Sequence, residues 1–182
     1  MTKKEEVQSI KINDLLKQLE SGTDTKQIDA VKSLKVHGDE SIIEPLLCAL
    51  VEKPSPEVEA EIVDLLNTIK STKVPAVMAK LLGEDKFVDI RQVMLASIWN
   101  SGLDYRPHLA EIMKAGTQGE LMEAVECITI IENIEGVIAE EELFEPLLVL
   151  KEYFSENHKE PNPKDDILRE IALQLQNLND LL

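Results

Sequence analysis

The side chains that could ligate a metal, attack a substrate or carry a proton are few and scattered. The three histidines read His37-Gly38, His108-Leu109 and His158-Lys159. None stands in an HExxH pair that would hold zinc on one helix face. Cys48 and Cys127 sit singly inside apolar helical patterns. Without a CxxC, or a histidine at ligand spacing, they make neither a zinc site nor a disulfide framework, and both are expected to be small buried hydrophobes. No glycine-rich phosphate loop and no nucleophile–base–orienter set can be assembled. The expectation is a non-enzyme, with no catalytic residue, metal ligand or cofactor.

What remains suits recognition. Arg91, Trp99, Tyr105, Arg106 and His108 fall in one short stretch, and Trp, Tyr and Arg favour interface hot spots. Ordinary packing is the competing reading, above all for Tyr105, which falls on an apolar register. A second concentration is Glu140, Glu141, Glu142 and Glu145. The 182 residues carry 19 Lys+Arg against 35 Asp+Glu, a net charge of −16. Residues 1–117 hold 15 bases and 19 acids, a net of −4, whereas 118–182 hold 4 bases and 16 acids, a net of −12. Three quarters of the excess therefore lies in the last third. It serves either as a solvated helix start favoured by the helix dipole or as a docking surface for a protein with a basic surface. The candidate partner-binding residues are Arg91, Trp99, Arg106, His108, Glu140, Glu141, Glu142 and Glu145. Such acidity argues against nucleic acid or an anionic membrane as the partner.

The elements that position these residues are helical. Aromatics make up 3% of the chain and glycine only seven residues, while Leu, Ile, Ala, Glu, Lys and Gln dominate. No stretch approaches the roughly 18 uninterrupted apolar residues of a membrane span. MTKKEEVQSI lacks the apolar region of a signal peptide. A soluble cytoplasmic protein is expected.

A repeat of about 31 residues organises the chain. Val31, Ile62, Val93 and Val125 step by 31, 31 and 32, each within a first, or A, helix. In the second, or B, helices Ile43, Leu46, Leu47 and Leu50 shift by 31 onto Val74, Val77, Met78 and Leu81, then onto Tyr105, His108, Leu109 and Ile112. A fourth copy, Phe144, Leu147, Leu148 and Lys151, arrives after 39, which places about seven extra residues between Ile131 and Phe144 as a longer helix or an enlarged connection. Met78, Met94, Met113 and Met122 read as core fillers. Trp99 shares a mixed row with His37, Thr68 and Ile131, which suggests a partly exposed position between helices.

Punctuation follows the register. Ile43-Glu-Pro45, Tyr105-Arg-Pro107 and Phe144-Glu-Pro146 mark B-helix starts, since proline is tolerated in a first turn. Ser41 with Glu44 forms a capping-box pattern, and Asp104 is a good N-cap. The reading is a flexible N-terminus (1–9), a half repeat (10–21), helix pairs at 24–52, 56–83, 87–115 and 118–157, and a linker with a capping helix (158–182), all in one domain. Asn162 caps that last helix, whose apolar face is Ile167, Ile171, Leu175, Leu178 and Leu182.

The stretches DTKQIDAVKSLKVHGDESIIEPLLCAL (24–50) and KFVDIRQVMLASIWNSG (86–102) resemble the HEAT and HEAT-like repeats of bacterial α-solenoids. Asp89-Ile90-Arg91 leading to Ala96 is similar to that family's Val-Arg-x-x-Ala helix start. The second unit departs, with Glu61 where the family often has Ala and no Arg opening the helix; the fourth departs through its insertion. The resemblance implies an all-α fold, a right-handed α-solenoid of stacked antiparallel helix pairs with A helices convex and B helices lining a concave surface. It implies a non-enzymatic scaffold that binds another protein through that face or the acidic C-terminal third. The family's di-iron hydroxylases carry repeated His-Glu dipeptides, absent here. Its DNA glycosylases need a basic groove, for which the B helices offer only Lys80, Arg106, Lys114 and a few others. A cofactor-handling enzyme of the bilin-lyase kind is the alternative, and self-association through an end face is a third reading.

Overall fold

The computed structural model describes residues 3–136, 138–156 and 162–180, and among them the chain is all α. Its ten helices are α1 (Lys3–Ser21), α2 (Asp24–His37), α3 (Ile43–Val51), α4 (Pro56–Thr68), α5 (Val74–Leu82), α6 (Arg91–Ser101), α7 (Leu109–Gln118), α8 (Leu121–Glu132), α9 (Glu140–Ser155) and α10 (Pro163–Asp180). Short 3-10 turns at Glu40–Ile42, Asp85–Ile90 and Arg106–His108 lead into α3, α6 and α7. None of the helices is long and apolar enough to cross a membrane.

The helices pack mainly on those two places along the chain, with α1 the exception in lying chiefly against α2. α2, α4, α6, α8 and α10 form one row; α1, α3, α5, α7 and α9 form the other. The result is a repeat-like helical array. Gln8, early in α1, donates to the carbonyl of His37 at the end of α2, and Gln27, early in α2, donates to that of Leu19 near the end of α1. That first pair therefore runs antiparallel.

The apolar stripes account for this packing. Ala30, Val31 and Leu34 of α2, Ile62, Leu65 and Leu66 of α4, and Ile43, Leu46, Leu47 and Leu50 of α3 enter one continuous core. Burying each large aliphatic side chain contributes about 1.5–3 kcal/mol before chain entropy is set against it. Pro56 and Pro75 lie in the first turns of α4 and α5, where the missing N–H has no intrahelical partner to lose. Gly102 closes α6 at φ 62°, a left-handed backbone that a Cβ would strain.

Several expectations need correction. Residues 3–9 form the opening turns of α1, because Lys, Glu and Gln continue a helix and no breaker intervenes. Ser41 and Glu44 make no capping box; the Asp39 carboxylate accepts the Ser41 N–H instead. Cys48 and Met122 are exposed, whereas Cys127, Met78, Met94 and Met113 are buried. Pro146 lies well inside α9, which starts at Glu140, so the inserted residues lengthen both the helix and its connection. On α10 the buried residues are Leu168, Ile171 and Leu175. Leu182, His158 and the 160–161 part of the joint lie outside the described residues. Asn162 does cap α10, its side-chain oxygen accepting the Lys164 N–H.

Candidate functional site

The sequence-selected residues separate into three places. Arg91 is buried, and its Nε donates to the Leu82 carbonyl 3.3 Å away. It ties α6 to the end of α5, so it is a packing residue and offers nothing to a partner.

Trp99 and Arg106 meet in a cleft of about 330 Å³ whose lining includes Ile98, Leu103, Tyr105, Ile130, Ile134 and Glu135. Both are half-buried, and both are engaged. The Trp99 indole N–H donates to Glu126 of α8 at 2.9 Å, bridging two helices of one row. Arg106 grips Asp104 through Nε (2.8 Å) and Nη2 (2.7 Å), and Asp104 also accepts the Arg106 backbone N–H. Those bonds hold the Asp104 carboxyl below its ordinary range and the guanidinium above its own, with Glu142 adding a smaller push on Arg106. A Cβ added at Gly136 would lie 3.5 Å from Arg106 Nη1, so Arg106 reaches the connection before α9. His108, half-buried in the same turn, adds slightly to the field on Asp104. The buried Tyr105 packs below, its phenol pushed up by burial.

The third place is α9. Glu142 is partly committed to structure, since its carboxylate accepts the Ala139 N–H at 3.0 Å and closes the helix start. Glu140, Glu141 and Glu145 are exposed, as is Glu152 further on, and no ion pair reaches any of the four among the described residues. Earlier units behave differently. Lys32–Glu61, Lys35–Asp64 and Lys73–Glu40 each join neighbouring units, and Lys86, in the turn before α6, answers Glu44 of α3. Between the α9 carboxylates stand Phe144, 69% exposed, and Leu148, 39% exposed. They are four residues apart and so share one helix face.

Matching the prolines misplaces these two residues by one position. The buried residues of α9 are Leu143, Pro146 and Leu150, with Leu147 packed beside them. They correspond to Ile43, Leu46, Leu50 and Leu47 of α3, so the last step along the B row, Tyr105 to Leu143, is 38 residues. In that register Leu148 corresponds to Ala110 and Ala79, which are 6% and 2% exposed, and to the exposed Cys48, while Phe144 corresponds to Arg106, Pro75 and Glu44. This row is turned toward the following unit: Glu44 meets Lys86 there, and Arg106 meets the 133–139 connection. Among the described residues no odd-row helix follows α9.

Sequence reading passed over one further cluster. Lys164 and Asp165, at the start of α10, are buried. Lys164 Nζ donates to the carbonyls of Thr117 (2.9 Å) and Gly119 (2.7 Å) and lies 5.1 Å from the Tyr153 ring centre. The Tyr153 hydroxyl donates to Asp165 at 2.9 Å. Burial first, and then that carboxylate, push the Tyr153 phenol up to about 12. The cluster pins α10 to α9 and to the α7–α8 turn. Two acids were visible in the first turn of α10, but nothing in the sequence gave Lys164 a partner 45 residues away.

Among the described residues no group of three or more His, Cys, Asp and Glu side chains could hold a metal ion. Compared with protein-family models, with curated proteins and with solved structures, the chain matches none.

Proposed function

We propose that the chain is a non-enzymatic adaptor, built as a HEAT-like α-solenoid, that binds another protein through its acidic C-terminal third. The observation that carries this reading is the outer face of α9: Phe144 and Leu148 exposed one turn apart, flanked by carboxylates that no cation answers among the described residues. An adjacent exposed apolar pair rimmed by polar residues is the kind of surface that marks a protein–protein contact. Unpaired carboxylates beside it repel one another until an opposite charge arrives. The steady two-apart packing of the helices supports the solenoid, because it is the packing that stacked helix pairs produce.

The test is affinity capture from native lysate with the wild-type chain and with a Phe144→Ser/Leu148→Ser variant. Both substitutions are on the surface, and circular dichroism checks that the helices persist. The expected outcome is a protein retained by the wild type and lost by the variant. Identical captured sets from the two chains would refute the assignment to α9.

A further inference from the structure

The face of α9 that holds Phe144 and Leu148 has the geometry of an unfilled place in the odd-numbered row. Its counterparts on α5 and α7, Ala79 and Ala110, are buried, and only that on α3, Cys48, is exposed. At α9 the same row carries larger apolar side chains, Phe144 mostly and Leu148 partly open to solvent. At about 1.5 Å per residue, the 16 residues of α9 offer a seam of about 24 Å.

We propose that this seam is closed by an amphipathic helix of a partner protein, apolar along its contact stripe and lined with Lys or Arg, which adds to the row as its next helix. This rests on the adaptor reading and names the class of partner. Shape comes from the spacing of Phe144 and Leu148, which suits a helix laid alongside and anchored at i and i+4. Charge decides the flanks. Glu141, Glu145 and Glu152 stand one turn from the two apolar residues, and Lys151 is the only cation on the helix. A second copy does not complement this face. Its α9 would set the same carboxylates against these, and residues 6–21 of its α1 hold Lys11 and Lys17 against Glu6, Asp14 and Glu20.

The experiment uses the full chain and two synthetic labelled peptides of about 18 residues, both with Leu at heptad a and d positions. One carries Lys at the remaining positions, the other Glu. Anisotropy titration at about 150 mM salt, where the screening length is about 8 Å, reads the affinities. The Leu/Lys peptide is expected to bind saturably at one site per chain, and the Leu/Glu peptide not at all. Phe144→Ser/Leu148→Ser and Glu141→Lys/Glu145→Lys are each expected to weaken binding at least about tenfold, or about 1.4 kcal/mol. Undiminished binding to the Ser variant would show attraction by charge alone and overturn the proposal. So would a wild-type dimer in sedimentation that the Ser variant abolishes, because the occupant would then be a second copy. If the Leu/Lys peptide fails while the lysate partner is still lost by the Ser variant, the helix class falls and the adaptor reading stands. If neither binds, both fall.

Discussion

A close approach between the two rows, at Gly116, is a place where a helix-favouring substitution is expected to harm the protein. Gly116 lies inside α7, and a Cβ built there would come within 2.8 Å of Cys127 Sγ on α8, with Cys127 Cβ at 3.5 Å and Leu168 Cδ2 at 3.8 Å. On an exposed helix, Gly→Ala gains about 1 kcal/mol. Here the gain competes with overpacking, which costs about 1–3 kcal/mol in a well-filled core. Cys127 has no easy retreat: it is fully buried, and its thiol faces the Ile112 carbonyl at 3.3 Å. Gly116→Ala is therefore expected to be neutral to about 2 kcal/mol destabilising. Cys127→Ala alone removes one buried heavy atom and is expected to cost about 1 kcal/mol. In the double variant the new methyl occupies the space the sulfur leaves, the helix gain survives, and stability returns close to wild type. Urea unfolding of the four proteins closes the cycle, and a coupling of about 1–3 kcal/mol is expected. If Gly116→Ala stabilises by the full helix gain and the two changes simply add, the close approach of α7 and α8 is wrong.

Three further outcomes follow from named contacts. Lys164→Met keeps the apolar stem but removes two charged-donor bonds to the Thr117 and Gly119 carbonyls, and is expected to cost about 2–4 kcal/mol in thermal or urea unfolding; an unchanged midpoint would count against the α10 clamp. The chain has two tyrosines, and both phenols are held above their ordinary value, by burial and, at Tyr153, also by Asp165. A raised folded-state value means that the neutral phenol stabilises the fold fully below about pH 10, the unfolded tyrosine value, and that this stability is lost as pH rises through the folded value. Absorbance at the phenolate band should therefore stay flat through the ordinary range, with Tyr153 titrating at about 12 and Tyr153→Phe removing that step; ionisation of both at the ordinary value would refute their placement. A maleimide reagent should label one thiol of the native protein, the exposed Cys48, and two after denaturation, and equal labelling of both in the native state would contradict the burial of Cys127.

The fold was legible where the physics is local and repetitive. The apolar repeat and the prolines in first turns placed most of the helices near their observed positions. What misled was aligning like with like. Stepping from valine to valine gave Val31, Ile62, Val93 and Val125, yet Val93 and Val125 are half-buried and the deepest positions are Met94 and Cys127. The buried residues Val31, Ile62, Met94 and Cys127 step by 31, 32 and 33. One residue turns a helical position by about 100°, and an apolar stripe that wide keeps an apolar residue on its edge, so the slip leaves no mark in composition. The candidate site was legible only as a region. Charge counting located the acidic third, but whether Arg91 or Trp99 is free depends on the Leu82 carbonyl and on Glu126, neither of which sequence spacing reveals.

The misassigned proline motif carries the most information. Phe144-Glu145-Pro146 copies the pattern of Ile43-Glu44-Pro45, so a repeat register sends Phe144 to the core. In α3 the proline is the third helical residue, within the turn that needs no donor, and Ile43 is buried; in α9 four residues precede Phe144, the helix is already under way, and Leu143 takes the core position. The inserted residues thus do more than lengthen a connection, because they rotate the apolar pattern of the last B helix by one position. That rotation turns Phe144 and Leu148 from positions the array would bury within itself to the row where each unit meets the next. At that row the earlier helices carry the buried Ala79 and Ala110, the exposed Cys48, and Glu44 paired with Lys86. α9 presents an aromatic, a leucine and carboxylates that nothing among the described residues answers. A unit that ended the array for its own sake would be expected to present a polar outer face. Under the adaptor proposal, the composition of this row is that of a surface kept for another molecule rather than of a polar cap.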